Sequence, residues 1–327
     1  MTSTTGVIAL TPRLEASMAV VIVNYNTREH LRACLAAVLR ESPREVVVVD
    51  NASTDHSVEM VRADYPQVVL HANAINVGYG AAANQAIAGC SAEYIFLLNA
   101  DSLLTPGAVR ALSGYLDLHP QAAILGPRLV DPQGKPKASC YPFPTPLNTL
   151  IHMSILSQLI GLVPVLRKHY LYGVSPTYAG TVPWVHGAAL AIRRGAFEAV
   201  GGFDESFFMY SEEVDLCYRL HAAGWQVHFA PVTTVMHIGG ASTRQHRTEM
   251  GVQVFASLLQ FYDRHSTAAR RLQALVIIKA LMLARLGRDL LHLCLARDRT
   301  LRARLMADIT AWQRVLRGRW REPVTLD

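Results

Sequence analysis

Cysteine is scarce and scattered in this chain. Its five cysteines (Cys34, Cys90, Cys140, Cys217 and Cys294) form no CxxC spacing and their number is odd. That argues against a disulfide framework or a zinc site and fits a reducing compartment. Charge is sparse as well: 17% of the 327 residues are charged and 51% are hydrophobic, so global disorder is excluded and a sizeable core can be buried. Residues 1–17 are rich in Thr and Ser and lack the basic start and apolar run of a secretory signal; they read as a loose extension. Between Lys137 and Arg167 there is no Lys, Arg, Asp or Glu, and residues 147–166 are long enough for a membrane span. His152, Ser154, Ser157, Gln158 and Pro164 interrupt that run, so it reads as a partly exposed apolar segment instead.

What is present is a regular alternation. Residues 19–23, 45–49, 68–71 and 94–99 read as apolar strands, with helices at 28–39, 55–64 and 80–89 between them. Continuous apolar strands separated by helices predict βαβ units and a sheet covered on both faces. Ligands of such sheets sit beyond the carboxyl ends of the strands, which singles out residues 24–26, 50–55 and 99–101. Proline and turn residues predict an irregular loop over 127–146. The pattern resumes at 182–192, passes a Gly201-Gly202 turn, and continues with an acidic helix start over 211–220 and a strand at 226–230.

The net charge of +6 is unevenly spread. From Met250 onward there are 14 Lys+Arg against 6 Asp+Glu, while the first 249 residues hold 17 against 19. The tail reads as wholly helical. Along 271–292, Arg271, Arg285, Arg288, Asp289 and His292 fall within about 100° of helical arc, Lys279 does not, and the other faces are apolar. Such a helix suits a membrane interface, or packing on its own catalytic domain. The division expected is a loose extension at 1–17, a catalytic domain at 18–249 and a basic amphipathic helical extension at 250–327.

Three clusters can carry chemistry. Asp101 ends the apolar run Tyr94-Ile-Phe-Leu-Leu-Asn-Ala-Asp, where a carboxylate emerges at the ligand edge and can hold a hard cation with phosphate oxygens completing its shell. Phe207-Phe-Met-Tyr-Ser-Glu-Glu-Val-Asp packs Glu212, Glu213 and Asp215 into four residues after an aromatic run. Acids at a helix start are explained by the macrodipole alone, but a carboxylate beside a dry aromatic wall is also a general-base candidate. Val235-Met-His-Ile-Gly-Gly places His237 before glycines that allow close backbone approach to a ligand.

Together with Val20-Val-Ile-Val-Asn-Tyr-Asn, Val46-Val-Val-Val-Asp-Asn-Ala-Ser-Thr-Asp, Asn76-Val-Gly-Tyr-Gly-Ala-Ala-Ala-Asn and Gly201-Gly-Phe-Asp-Glu-Ser, these segments resemble the family 2 glycosyltransferases of the GT-A fold, in the bacterial rhamnosyltransferase-like branch. The resemblance covers about residues 18–243. It implies an α/β fold with a Rossmann-like mixed sheet flanked by helices. It also implies an inverting, metal-dependent transfer from a nucleoside-diphosphate sugar to a glycan or lipid-linked glycan hydroxyl, with dTDP-rhamnose as the donor by analogy. Carried over by position, Asn24, Tyr25, Asn26, Asp50, Gly78 and Asn84 would serve the nucleotide. Asp101 and His237 would hold Mg²⁺ or Mn²⁺, and Glu213, with Glu212 second, would be the catalytic base. Two positions depart from the family pattern. Asn99 replaces the first aspartate of the usual metal motif, leaving one charged ligand, and the paired acidic motif is Glu-Glu where Asp is common in second place.

Two other readings stay open at this level. A nucleotidyltransferase would carry a Gly-rich basic loop after the first strand, and Asn24-Tyr-Asn-Thr-Arg has none. A non-catalytic sugar-nucleotide-binding protein would have lost the acids, and Asp101, Glu212 and Glu213 are all present. The basic tail has few aromatics to interleave with its arginines, so no nucleic-acid partner is expected. The expected place is the cytoplasm, peripheral on the inner face of the membrane, with contact through 147–166 and 271–295.

Overall fold

The computed structural model describes residues 18–154, 156, 157, 162 and 179–319. The first half is a run of βα units: β1 (Met18–Asn24), α1 (Arg28–Arg40), β2 (Glu45–Asp50), α2 (Ser57–Asp64), β3 (Val69–Ala72), α3 (Tyr79–Ala88) and β4 (Tyr94–Asn99). Every residue of β1 from Met18 to Ile22 is apolar and fully buried, because both faces are covered. Met18, Val20 and Ile22 pack with Leu31, Leu35 and Val38 of α1, while Ala19 and Val21 pack with Ala82, Ala83 and Ala86 of α3.

β5 (Ser102–Leu104), α4 (Ala108–Leu118), β6 (Ala122–Val130), β7 (Pro136–Lys137), β8 (Cys140–Tyr141) and α5 (Pro146–Met153) follow. Then come β9 (Gly180–Thr181), β10 (Trp184–Val185), β11 (Ala189–Arg193), α6 (Arg194–Ala199), α7 (Glu212–Ala222) and β12 (Gln226–His237). The main sheet runs β3-β2-β1-β4-β11-β6-β12-β5. β3, β2, β1 and β4 are mutually parallel, and β11 is antiparallel to both β4 and β6. Strand order reverses beside β1, so the ends of β1, β2 and β4 open onto one crevice; there Asn24 pairs in register with Asp50, and Val23 with Asn99.

Two sequence expectations change. Pro127 does not begin a loop but lies inside β6, and short strands β7 and β8 occupy the supposedly irregular stretch. The partner strand explains the first point: β12 shifts register between Phe229, opposite Gly126, and Thr234, opposite Arg128. The extra β12 residues bulge where proline offers no N–H to the ladder. β12 also runs to His237, well past the expected end at 230.

Three helices close the described chain: α8 (Arg247–His265), α9 (Ala268–Leu295) and α10 (Arg299–Leu316). α8 runs unbroken across the expected boundary at 249/250. Val252, Phe255, Leu259, Ile278, Met282, Ala311 and Val315 form a separate small core among the three. Of the charged arc of α9, Asp289 is buried, Arg271 and Arg285 are half-buried, and Arg288 and His292 are exposed. Asp289 is buried with Ala274, Ile278 and Met282, while Leu272, Val276, Leu283, Leu290, Leu291 and Leu295 are 45–72% exposed. No helix among the described residues is long and apolar enough to cross a membrane. Of the segment 147–166, residues 155, 158–161 and 163–166 lie outside the described residues.

Candidate active site

Asp101 and His237 lie 136 positions apart in sequence and meet because of strand pairing. β5 begins immediately after Asp101, and its Ser102 pairs with His237 at the end of β12. The Ile238 amide then donates to the Asp101 carbonyl at 3.1 Å. Asp101 Oδ1 stands 3.3 Å from His237 Nε2, and Oδ2 accepts from the Gly239 amide at 2.9 Å. Burial pushes the Asp101 carboxyl up, but His237 and the amides of Ala241 and Gly239 outweigh it and hold the group below its ordinary value. Lys137 Nζ donates to the His237 carbonyl at 3.1 Å, bringing a cation to the same corner. An oxygen and a nitrogen 3.3 Å apart suit two adjacent donors on one divalent cation with bonds of about 2.1 Å. No group of three or more His, Cys, Asp and Glu suited to a metal occurs among the described residues, so phosphate oxygens or water would complete such a shell.

The acidic pair reaches the same cavity through a strained turn. Tyr210 and Ser211 both adopt left-handed backbone, at φ +67° and +64°, a conformation that costs a side-chain-bearing residue free energy and collects at functional sites. Neighbours hold it there: Ser257 Oγ donates to the Met209 carbonyl at 2.7 Å, and the Tyr79 amide donates to the Phe208 carbonyl at 2.9 Å. Gly78 makes that second contact feasible. Its φ is +88°, and a Cβ there would stand 2.6 Å from the Phe208 carbonyl oxygen. The turn delivers Glu212 and Glu213, the first residues of α7, into the cavity, each with Oε2 buried and unpartnered. Burial raises both carboxyls. Glu212 is pushed further by the charge of Glu213, whereas amide hydrogen bonds, including those of Gly187 and Val214, oppose the rise in Glu213. Of the two carboxyls, Glu212 is raised further.

The third acid has a different fate. Asp215 is buried, bound by Arg219 Nε at 2.7 Å and by His265 Nε2 at 2.7 Å. Arg219 also donates to the carbonyls of Val200 and Gly202, each at 2.7 Å. Asp215 thus ties α7 to α8 and to the Gly201-Gly202 turn.

A cavity of 340 Å³ joins the Asp101–His237 corner to Glu212 and Glu213. Tyr25 and Gly78 line it. Asn24, Asn26, Asp50 and Asn84 are not among its lining residues. Asn24 and Asp50 are buried and bonded to each other at 2.8 Å, with Asp50 Oδ1 also accepting from the Ser53 amide. Asn26 Oδ1 accepts from the Thr54 amide at 2.7 Å. Asn84 bonds the backbone of Phe203 in both directions. As placed, these four residues are bonded to neighbouring loops rather than exposed to the cavity.

Sequence reasoning passed over several lining residues. Asn51 directly follows Asp50 in a quoted motif, and it bridges Asn76 Oδ1 at 2.9 Å and the Gly78 carbonyl at 3.1 Å. Tyr79, Lys137, His186 and His246 also line the cavity; the last three lie outside every quoted motif. His186 faces His237 with ring centroids 5.5 Å apart. Burial drops its pKa to about 4, so the ring is neutral. Its Nδ1 accepts from the Ala188 amide at 3.1 Å, which leaves the proton on Nε2.

With this geometry in place, the relatives can be set beside it. Residues 15–256 match the family described as Glycosyltransferase like family 2. The chain is 33% identical over 263 residues to N-acetylglucosaminyl-diphospho-decaprenol L-rhamnosyltransferase of Mycobacterium tuberculosis, covering 76% of this chain and 85% of that protein. It is 28% identical over 255 residues to the low-salt glycan biosynthesis hexosyltransferase Agl10 of Haloferax volcanii, covering 76% and 74%. Among solved structures it resembles the mannosyltransferase PcManGT of Pyrobaculum calidifontis in complex with GDP-Man and Mn²⁺, with a TM-score of 0.53, 18% identity and coverage of 93% and 88%. It also resembles GalNAc-T7 with UDP, GalNAc and Mn²⁺, with a TM-score of 0.52 and 16% identity, over 74% of this chain but only 47% of that longer one. The chain belongs to the family 2 glycosyltransferases, in the rhamnosyltransferase-like branch, and its fold is GT-A.

Proposed function

We propose that this enzyme transfers a sugar, with inversion at the anomeric carbon, from a nucleoside diphosphate to a hydroxyl of a lipid-linked glycan at a membrane surface. The observation that carries this reading is the single cavity shared by the Asp101–His237 corner and the buried Glu212–Glu213 pair. One side offers a seat for a diphosphate and the other a base.

In this scheme Glu213 takes the proton of the acceptor hydroxyl as its oxygen bonds to the anomeric carbon, and the bond to the diphosphate oxygen breaks with its electron pair. Glu212 stays protonated beside it, keeping the pair at one negative charge. Of the other carboxylates lining the cavity, Asp101 would serve the cation and Glu212 would keep its proton, which favours a single displacement. Tyr25, Asn51, Asn76 and Gly78 would face the nucleoside, braced by Asn24, Asn26, Asp50 and Asn84. Asp101 and His237 would hold Mg²⁺ or Mn²⁺. Such an ion neutralises developing charge on the departing diphosphate, and Lys137 adds a fixed positive charge nearby. The 33% identical relative is an L-rhamnosyltransferase, which supports rhamnose as the sugar; dTDP-rhamnose is the donor proposed by analogy. The exposed leucines of α9 supply the membrane contact, together with the segment 147–166.

Calorimetric titration of the protein with UDP, dTDP and GDP, each with and without Mn²⁺, tests the donor half. Metal-dependent binding of one nucleotide, dTDP by preference, is expected. A folded protein that binds none of them would overturn the reading, with Asp101 the first assignment to go.

A further inference from the structure

A second groove, of 880 Å³, adjoins the cavity and shares Tyr210, Thr243 and Met250 with it. It runs between α5, α8, α9 and α10, and four arginines line it: Arg244, Arg247, Arg285 and Arg288. Two aspartates answer them. Arg247 is clamped to both oxygens of Asp308 at 2.7 and 2.8 Å. Arg288 is bound to Asp289 at 2.8 Å, whose other oxygen accepts from Trp312 Nε1 at 2.9 Å. The remaining two arginines have no carboxylate among the described residues. Arg244 donates to the carbonyls of Gly239 and Gly240. Arg285 donates to the Met153 carbonyl at 2.7 Å and lies over the Trp312 ring, 5.3 Å from its centre.

Resting on the proposed function, we infer that this groove seats the diphosphate that joins the acceptor's sugar to its lipid. Four arginines against two aspartates leave an excess of two positive charges, which matches the two negative charges of a diphosphate diester. Arg285 is already fixed by tryptophan and carbonyl, so little freedom is lost when it meets an anion, and guanidinium pairs well with phosphate oxygens. Burial and the neighbouring Arg288 lower the pKa of Arg285 against the opposing pull of Asp289 and Asp308, so an arriving anion would add to a compensation those aspartates leave incomplete. Position agrees as well. One end of the groove opens beside the acidic pair through Tyr210. Along its flank, Ala284 of α9 both lines the groove and adjoins the exposed leucine face, so a lipid tail can lie on the apolar side while its head turns inward.

The test is calorimetry on the full chain in EDTA, using as probe the decyl diester of N-acetylglucosamine diphosphate below its micelle concentration. The decyl glycoside lacking the diphosphate is the comparison. Arg285→Gln and Arg244→Gln should each weaken the diester about tenfold or more, Arg285→Lys should recover part of the loss, and none should change the weaker binding of the glycoside. Equal diester affinity in wild type and both Gln variants overturns the inference. So does displacement of the diester by a nucleoside diphosphate, which would put the probe in the donor cavity. Equal losses of binding to phosphatidylglycerol vesicles would make the groove a general headgroup site and overturn it too. Failure of the protein to bind any nucleoside diphosphate would instead strike the proposed function, and the diester titration would still read the groove.

Discussion

In β1 every residue from Met18 to Ile22 is apolar and buried, whereas in α9 an aspartate is buried beside Ala274, Ile278 and Met282 while six large aliphatic side chains stand exposed. The sheet-bearing half covers its own apolar surface on both faces. The helical half sets a small apolar core beside the partly exposed Arg247–Asp308 and Arg288–Asp289–Trp312 contacts and leaves large aliphatic side chains outward from Leu272 to Leu295, about 35 Å at the helical rise. Apolar surface of that extent has a partner phase in view. Under the proposed function the difference separates two tasks: the sheet would hold the chemistry, and the helices would present it to an apolar surface.

The sharpest way to break that separation is at Glu213. Glu213→Gln should cut turnover by about 10²- to 10⁴-fold, leave donor affinity within about threefold, and leave vesicle binding unchanged. The same substitution should raise the melting temperature at neutral pH, by about a few degrees. Burial raises the Glu213 carboxyl in the fold, so native stability is full below the unfolded value and is lost as pH rises through the folded one. Removing the charge removes that loss. For the same reason the acidic limb of the wild-type rate profile should lie above the ordinary glutamate range. Wild-type-like turnover in this variant would end the assignment of the base.

Next in size is the outward face of α9. The double substitution Leu283→Glu with Leu290→Glu should lower partitioning onto anionic vesicles about a hundredfold, since each buried leucine contributes about 1.5–3 kcal/mol. Nucleotide affinity should not move. Both leucines are exposed, so the melting temperature should hold as well. Unchanged sedimentation with vesicles would show that the face serves something other than lipid.

Smaller again is Gly78→Ala, which attacks the seam where the loop proposed to face the nucleotide meets the Phe208 turn. The new Cβ would stand 2.6 Å from a backbone oxygen at a φ of +88°, so the loop must shift, and about a tenfold loss in nucleotide affinity is expected. Isothermal titration reads it. An unaltered affinity would mean that this loop does not touch the nucleotide.

Legibility in the sequence follows the same division. β1, β2 and β4 were readable because continuous apolar runs have one structural solution, and the crevice at their ends follows from topology. The motifs singled out Asp101, His237 and the Glu212–Glu213 pair, and the fold brings all four to one cavity. The meeting of Asp101 with His237 was not readable, because it depends on β12 running on to pair with β5. Asp50 and Asn24 carry the expected polar groups, but a motif does not say which of two adjacent residues faces the cavity; Asn51 lines it and Asp50 stands behind. In α9, periodicity separated a charged arc from apolar faces, and the sequence left membrane contact and packing on the rest of the chain both open. The burial of Asp289 on that arc was not legible, because it depends on Trp312 of α10, which the sequence of one helix does not disclose.

The smallest expected effect tests that burial directly. Asp289 is 2% exposed, yet its partner Arg288 is 59% exposed in its side chain, so water screens much of their attraction. Asp289→Asn keeps an oxygen for the Trp312 indole and loses only the ionic share, so a loss of about 1 kcal/mol at neutral pH is expected. Burial alone would raise the Asp289 carboxyl, but Arg288 and Trp312 overcome it and hold the group below its ordinary value. Its contribution is therefore present above the unfolded aspartate value and fades as pH falls through the folded one. Melting curves of wild type and Asp289→Asn should accordingly differ at pH 7 and converge in acid. A gap that persists unchanged below pH of about 3 would mean that Asp289 acts there through packing rather than charge, and the helical half would no longer differ in kind from the sheet.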